Sequence, residues 1–221
     1  MTKSRIFHTG LYKEIERKIV QALNAQPDFL SSRTVTSTRA VGDAIQTILS
    51  DSFATVLGDL CKNYSAEFAR RSMADLAFTD EDGLYYIVDV KTHRLETHFN
   101  MPNLTSVERL ARFYEDDKNY FVVLMVKYSI RETRVDVCET HFLPIEFLSW
   151  DCLTIGALGW GQIQIANANV IHVHEQYSRK KWMIELCDVM LHFYPKEIGK
   201  IENRMEYFMR LKHQWAKKPG R

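Results

Sequence analysis

The stretch MADLAFTDEDGLYYIVDVKTH, residues 73 to 93, determines the fold expected for this chain. Two runs of strand-forming residues flank the dipeptide Asp82-Gly83, which is favoured in tight hairpin turns. The second run is strongly apolar, yet it ends on two opposite charges, Asp89 and Lys91. We therefore predict a β-hairpin whose second strand finishes at a charged site.

The charges at this strand end suit metal-dependent chemistry. Residues two apart on a strand point to the same face, so Asp89 and Lys91 share a face. The hairpin brings Asp75 back beside Asp89, and paired carboxylate oxygens are the ligands that Mg²⁺ requires. A bound Mg²⁺ would stabilise charge on a phosphate and activate a water, which Lys91 would position. This arrangement predicts phosphodiester cleavage with Asp75 and Asp89 as metal ligands.

An ordinary surface charge pair is the alternative, because an acid two residues before a lysine is common in proteins. The chain has three such pairs, Glu16/Lys18, Asp89/Lys91 and Asp116/Lys118. We interpret the first and the third as helix surface. Only the middle pair closes an apolar strand and has an upstream acid across a turn, which favours a site there.

The remaining segments predict a mixed β-sheet flanked by helices, which is an α/β architecture. Apolar residues recur at helical spacing from Leu11 to Leu23, and Pro27 ends that helix. Ser37 or Thr38 begins a second helix. Further predicted elements are a helix from Thr105 or Ser106 to about Asp117, strands at 120–128 and 131–142, an extended segment at 161–174, and helices at about 178–193 and 196–215.

Length and composition favour one cytosolic domain. The chain has 221 residues, a formal net charge of +1 and no Cys-x-x-Cys pair, so a zinc ribbon is not expected. We expect neither a signal peptide nor a membrane helix, because no uninterrupted apolar run opens the chain. We divide the single domain into N-terminal helices at about 1–60, a catalytic core at about 70–145, and a recognition and C-terminal helical part at about 146–221.

A tryptophan between two glycines marks a candidate surface for DNA. Gly159 and Gly161 let the backbone around Trp160 approach another surface closely. Uncharged donors and acceptors that can read base edges follow it, at Gln162, Gln164, Asn167 and Asn169. A tight turn with a packed tryptophan is the alternative.

The C-terminal segment is a second candidate for DNA contact. Lys217 and Lys218 lie close to Trp215 in a segment rich in basic residues. Such a combination predicts contacts to backbone phosphates. A solvated helix end is the alternative.

Four segments, in the same order, resemble the blunt-cutting HincII/EcoRV branch of the PD-(D/E)xK type II restriction endonucleases. They are RAVGDAIQTILSDSF, ADLAF followed by VDVKT, FNMPNLTSVERLARFYED, and GWGQIQIANANVIHVHEQY. Ala74 stands where the wider superfamily has proline, which agrees with this branch. The resemblance covers about residues 38 to 194 and depends on the shared order of the segments.

The resemblance implies a Mg²⁺-dependent homodimer from a prokaryotic restriction-modification system, acting in the cytoplasm on double-stranded DNA. It implies a palindromic recognition site and blunt ends. Asp75 and Asp89 match the metal ligands of the family, and Lys91 matches its catalytic lysine. Asp43 matches an accessory acid on the first core helix, with Asp51 as the alternative.

The resemblance also bears on DNA contact and on assembly. Residues around Phe99 border DNA in the resembled enzymes, so Asn100 and Asn103 are candidates for stacking and base contact, and asparagine can bond adenine bidentately. An asparagine-rich turn before a helix is the alternative. The resembled enzymes dimerise partly through N-terminal segments, so we expect the stripe from Leu11 to Leu23 to form a dimer surface.

Three other functions remain open. A repair or recombination nuclease of the same fold would cut by DNA structure, a non-catalytic protein would bind DNA without cutting it, and a soluble α/β protein would bind no nucleic acid. The polar loop after Trp160 argues against the first. The intact Asp75, Asp89 and Lys91 argue against a non-catalytic DNA-binding protein. Only the near-neutral charge favours a protein that binds no nucleic acid.

Overall fold

The structure is a computed structural model that describes residues 3–26, 37–65, 74–132 and 134–220. Contacts divide the chain into two compact units, one up to Gln176 and one from Tyr177 onward. The strands are β1 Asn63–Tyr64, β2 Leu76–Thr79, β3 Tyr85–Arg94, β4 Asn103–Ser106, β5 Asn119–Arg131, β6 Arg134–Pro144, β7 Leu153–Gly156 and β8 Gln162–Ile165. The α-helices are α1 Arg5–His8, α2 Tyr12–Asn24, α3 Thr38–Leu57, α4 Val107–Phe113 and α5 Arg179–Ala216, with short 3₁₀ turns at Gly58–Leu60 and Ile145–Phe147.

The larger sheet is built around the hairpin that the sequence predicts. Its strand order is β1-β2-β3-β5-β6, and β2 pairs antiparallel with β3, with Leu76 opposite Val88. β3 and β5 run parallel, and β5 is interior, as its continuous apolar run indicates. This mixed sheet with helices confirms the predicted α/β class.

The apolar stripe of α2 is buried inside the chain. Ile15, Ile19 and Leu23 are almost fully inaccessible, and the helix packs against β6 and α3. The pattern correctly predicted an amphipathic helix, but the chain's own elements cover its apolar face. The stripe therefore cannot provide the dimer surface that we expected.

The first turns of α3 lie against the end of β3. The helix begins at Thr38, and Ser37 Oγ accepts a hydrogen bond from Ala40 N at 3.2 Å, as its capping role predicts. Gly42 comes very close to β3, because a Cβ at this position would lie 3.0 Å from Thr92 Oγ1. A larger residue at Gly42 would push α3 away from the charged strand.

A second sheet, with the order β4-β8-β7, is not among the predicted elements. Its strands have four residues each. The predicted extended segment at 161–174 is a strand only over β8, and Val173 forms a single bridge to Leu148. The helix predicted to reach Asp117 ends at Phe113, and a turn leads from there into β5.

The second unit contains one helix of 38 residues, α5, where we expected two. Pro195 lies inside it. A proline removes one backbone donor and its ring presses on the preceding turn, which bends a helix without always ending it. Among the described residues, no helix is both long and apolar enough to cross a lipid bilayer.

Candidate functional site

Asp75 lies directly before β2, where the hairpin brings it beside the middle of β3. The strand does not finish at Lys91 as predicted, since its pairing with β5 continues to Arg94. Its backbone N–H donates to Val88 O at 3.0 Å, which continues the strand pairing. Its Oδ2 accepts a hydrogen bond from Val90 N at 2.7 Å. The carboxylate thus accepts from Val90 N–H as a backbone carbonyl of a neighbouring strand would, and this hydrogen bond fixes the carboxylate beside β3.

Asp89 and Lys91 lie on one face of β3, as the period of a strand requires. Lys91 Nζ donates to Asp89 Oδ1 at 2.6 Å, and the two side chains are 23% and 7% exposed, respectively. Asp89 Oδ2 is buried and has no hydrogen-bond partner among the described residues. Leaving one oxygen of a buried carboxylate unsatisfied is costly, so this oxygen is suited to receive a ligand.

Burial raises the pKa of both carboxyl groups. Desolvation raises the pKa of Asp89 from 3.8 to about 7, while Lys91 lowers it and the negative charge of Asp75 raises it. Desolvation also raises the pKa of Asp75, against the lowering effects of Val90 N–H, Lys91 and Gln46. The two acids therefore interact, and Asp89 takes up a proton near neutral pH when no cation is bound.

Gln46 on α3 is a site residue that the sequence analysis missed. Its side-chain amide donates a hydrogen bond to Asp75 Oδ1, so α3 and β3 each hold one oxygen of Asp75. Gln46 lies four residues after Gly42, and residues four apart share a helix face. The contact between Gln46 and Asp75 depends on the close approach of α3 to β3, so no local signal in the sequence identifies Gln46.

Asp43 and Asp51 are both exposed on α3. Asp43 directly follows Gly42, on the part of the helix that lies against β3. Asp51 lies near β1 instead: burial raises the pKa of Tyr64 to about 12, and the charge of Asp51 adds to that effect. Position along α3 therefore favours Asp43 as the accessory acid.

Two carboxylates fit the way in which Mg²⁺ binds proteins. Among the residues that the structure describes, no three His, Cys, Asp or Glu side chains form a metal-binding group. Mg²⁺ nevertheless keeps several waters and commonly binds through one or two carboxylates together with substrate phosphates. The unsatisfied Oδ2 of Asp89 and the fixed carboxylate of Asp75 are consistent with that mode.

The other two acid-x-Lys pairs differ from Asp89 and Lys91. Asp116 lies in the turn after α4, not in a helix, and its carboxylate accepts from Lys118 N at 2.9 Å. Glu16 is not the exposed helix residue that we expected. Its Oε1 accepts from Phe142 N at 2.7 Å, and burial raises its pKa to about 7. Glu16 thereby fastens α2 to β6.

Asn169 connects the charged strand to the polar loop. His93 is 1% exposed and lies two residues beyond Lys91, and its Nε2 is 2.8 Å from Asn169 Oδ1. Asn169 Nδ2 donates to Thr97 O and His98 O at 3.2 and 3.0 Å. The amide that we predicted to contact bases is therefore engaged within the protein, where it holds the loop to β3.

Asn103 and Gln164 face each other across β4 and β8. They are register partners, and Gln164 Nε2 donates to Asn103 Oδ1 at 2.5 Å. A Cβ at Gly156 would lie 2.7 Å from Gln164 Oε1, so the glycine makes room for this amide. The small sheet thus brings two distant segments with predicted DNA contacts to one surface.

Two more asparagines belong to the same surface. Asn100 O accepts a hydrogen bond from Ala168 N at 2.8 Å. Asn167 Oδ1 accepts from Asn169 N at 3.0 Å. Both residues are partly accessible, so they join the loops at 97–103 and 166–170 while keeping contact with solvent.

Trp160 stands on an exposed tight turn. Gly159 and Gly161 have φ angles of 58° and 124°, values that other residues rarely adopt. The tight turn of the alternative interpretation is present, and the side chain of Trp160 is 57% exposed. Phe99 and Leu158 are exposed as well. Leu158 and Trp160 line one cavity, and neighbouring exposed apolar side chains indicate a binding surface.

A cavity of about 400 Å³ lies beside this turn. Trp160, Gln162 and Arg109 are among the residues that line it. The sequence analysis did not single out Arg109, which lies in the first turn of α4. A cation next to an amide and an aromatic ring can contact both the phosphate and the base of a nucleotide.

Lys217 and Lys218 belong to the second unit and follow the end of α5. Both are exposed. Lys218 Nζ lies 3.7 Å from the centroid of the Trp215 ring, a distance typical of a cation–π contact. The two lysines are accessible to phosphates but lie at a helix end, so both DNA contact and a solvated helix end remain open.

No protein-family model matches the chain, and a search of curated proteins finds no match either. The geometry of the site therefore carries the functional argument.

Proposed function

We propose that the protein is a Mg²⁺-dependent endonuclease that hydrolyses phosphodiester bonds in double-stranded DNA. The observation that carries the proposal is the charged segment of β3 from Asp89 to Lys91. There, a hairpin brings Asp75 beside Asp89, and Asp89 Oδ2 is buried with no hydrogen-bond partner in the part of the chain that the structure describes. A buried carboxylate is a weak contributor to stability, so its presence within an apolar strand supports a chemical role.

Each residue of the site has a distinct task in this proposal. Asp75 and Asp89 would hold Mg²⁺, which when bound would offset charge on the scissile phosphate and lower the pKa of an attacking water. Lys91 donates to Asp89 and lowers its pKa against the effect of burial, and its side chain is partly accessible, so it would be able to orient the water. Gln46 and the Val90 N–H prevent the carboxylate of Asp75 from rotating.

The exposed surface next to the site supports recognition of a base sequence. Asn103, Gln162 and Gln164 offer amides in the small sheet, and Trp160 offers an exposed ring for stacking. Arg109 offers a cation for a phosphate. Amides and guanidinium groups read base edges and backbone in this way.

The resemblance to type II restriction endonucleases supports a more specific proposal. In it, the chain has a PD-(D/E)xK core, acts as a homodimer and cuts a palindromic site to blunt ends. A two-fold symmetric dimer favours a palindrome because each copy presents the same surface to one half-site.

Digestion of a sequenced plasmid tests this function. With Mg²⁺ the full-length protein should yield discrete fragments, and both strand ends should map to one palindromic sequence. EDTA should stop the reaction. Cutting at branched or damaged DNA regardless of sequence would favour a repair or recombination nuclease, and a protein that binds DNA but never cuts it would be a non-catalytic binder.

A further inference from the structure

The long helix α5 carries a continuous heptad pattern, which we call the α5 seam. Apolar residues alternate at spacings of three and four from Ile184 to Trp215. The a positions are Ile184, Leu191, Ile198, Met205 and Lys212. The d positions are Cys187, Tyr194, Ile201, Phe208 and Trp215. Only Lys212 departs from apolar character, and a heptad pattern sustained beyond three or four repeats is typical of a coiled coil.

The α5 seam is exposed along its whole length. All ten positions are accessible to solvent, and Leu191 is 71% exposed. Trp182, Leu186 and Met190, which are buried, occupy other heptad positions. Ile201, Met205 and Phe208 also line a groove of about 390 Å³ on this surface. An amphipathic helix gains stability by covering such a face.

We propose that the α5 seam pairs with the seam of a second copy of this chain in an antiparallel coiled coil. Placing a two-fold axis between Gly199 and Lys200 matches every a position with a d position of the second copy. Ile198 then meets Ile201, and Leu191 meets Phe208. A homodimer is already part of the proposed function; what is new is the α5 interface, which does not depend on nuclease activity.

Charge favours a second copy in the antiparallel direction. In a parallel pair, Lys212 would meet Lys212 inside the seam, and Glu197 at position g would face Glu202 at position e of the other chain. In the antiparallel pair, Glu197 lies near Arg204 of the second copy, and this contact occurs twice by symmetry. Lys212 moves next to Asp188 of the second copy, so its buried charge gains a partner.

The first experiment measures the mass of the full-length protein in solution by light scattering. Wild type should have twice the chain mass of 25.9 kDa. The double variant Ile201→Asp/Phe208→Asp should be a monomer. Tyr207→Asp is the matched control, since Tyr207 is exposed and adjacent to Phe208 but lies outside the seam, and it should stay dimeric. A monomeric wild type, or a dimer that survives the double substitution, would overturn the proposal, as would dissociation of the control.

The second experiment determines whether the two α5 helices are parallel or antiparallel, by exchanging charges between them. Glu197→Arg and Arg204→Glu should each weaken the dimer, and combining them should restore it. In a parallel pair, Glu197→Arg would instead strengthen the dimer by facing Glu202.

Disulfide formation gives an independent test of the same geometry. In a Cys138→Ser background, Lys212→Cys should form a bond between Cys187 and position 212 of different chains under oxidising conditions. Without Lys212→Cys, no bond should form, because the two Cys187 residues would be about 37 Å apart along the helix axis. A bond between the two Cys187 residues would contradict the antiparallel arrangement.

Discussion

The charged segment of β3 and the surface of the small sheet are both polar, but their polar groups have different surroundings. Asp89 is buried, and one of its oxygens has no partner among the described residues. Asn103 and Gln164 bond to each other and stay accessible to solvent. A buried unsatisfied charge raises the energy of the fold, whereas an exposed amide pair exchanges partners at little cost. The first region therefore fits the proposed chemical site, and the second fits the proposed recognition surface.

Asn169 connects these two regions. Its amide bonds to His93 on β3 and to the backbone of Thr97 and His98. Asn169 thus ties the loop at 166–170 to β3 and to the segment after it.

The largest effect is expected at the charged segment of β3. Lys91→Met removes the ion pair with Asp89 and the group that orients water, so cleavage should fall by at least about a hundredfold. Binding to DNA should persist. The control is Lys118→Met, the lysine of an acid-x-Lys pair in an exposed turn, which should cut at the wild-type rate. Unchanged cleavage by Lys91→Met would place the chemistry elsewhere.

The raised pKa of Asp89 predicts how stability depends on pH without Mg²⁺. The folded state keeps a proton between pH 3.8 and about 7 that the unfolded state loses. The contribution of Asp89 to the free energy of unfolding should therefore fall as pH rises, by about 1.4 kcal/mol per pH unit in that window. Asp89→Asn cannot titrate and should abolish this fall.

Urea denaturation in EDTA measures the free energy of unfolding of wild type and Asp89→Asn across that pH window. Subtracting the variant curve from the wild-type curve removes the effect of Glu16, whose pKa is also raised. A difference that does not change with pH would show that the charge of Asp89 is not suppressed by burial.

Asn169→Ala tests the connection between the two regions. It leaves the buried His93 without its partner, so the free energy of unfolding should fall by about 1 to 3 kcal/mol. A double-mutant cycle with His93→Ala should show strong non-additivity. Independent, additive losses would mean that the hydrogen bond between them has no energetic role.

Gln162→Ala tests the recognition surface. It should cost about 1 to 3 kcal/mol of binding on the cognate site and little on other DNA, with no effect on thermal stability. Competition binding with cognate and scrambled duplexes measures this. An equal loss on both duplexes would identify the turn at Trp160 as a structural feature.

The smallest effect is expected at the end of α5. Lys217→Ala/Lys218→Ala should weaken cognate and non-cognate binding alike and reduce the salt dependence by about one unit of slope per lost contact. Specificity should be unchanged. A selective loss on cognate DNA would assign these lysines to base reading.

Local patterns predicted the elements whose signals lie within the chain segment itself. The Asp82-Gly83 turn, the helix stripes and the apolar run of β5 each identify an element because periodicity and turn chemistry are local. The small sheet escaped prediction because its short strands pair over long separations, as in Asn103 with Gln164. Gln46 was missed for the same reason, since its contact with Asp75 depends on how α3 crosses the hairpin.

Periodicity also could not tell which partner covers an apolar stripe. The stripes of α2 and α5 look alike in the sequence, yet α2 is covered by β6 and α3 while the α5 seam stays exposed. The helices that we predicted at about 178–193 and 196–215 form one helix that contains Pro195, because a proline inside a long helix can bend it without ending it.

The most direct test of the central claim is the rate at which Asp89→Asn cuts supercoiled plasmid in Mg²⁺, measured beside wild type and Asp116→Asn. Asp116 provides the matched control, since it is an exposed acid two residues before a lysine. The proposed site predicts cleavage by wild type and Asp116→Asn, and none above background by Asp89→Asn although it still binds DNA. Equal cleavage by all three proteins would show that the charged segment of β3 is not a nuclease site.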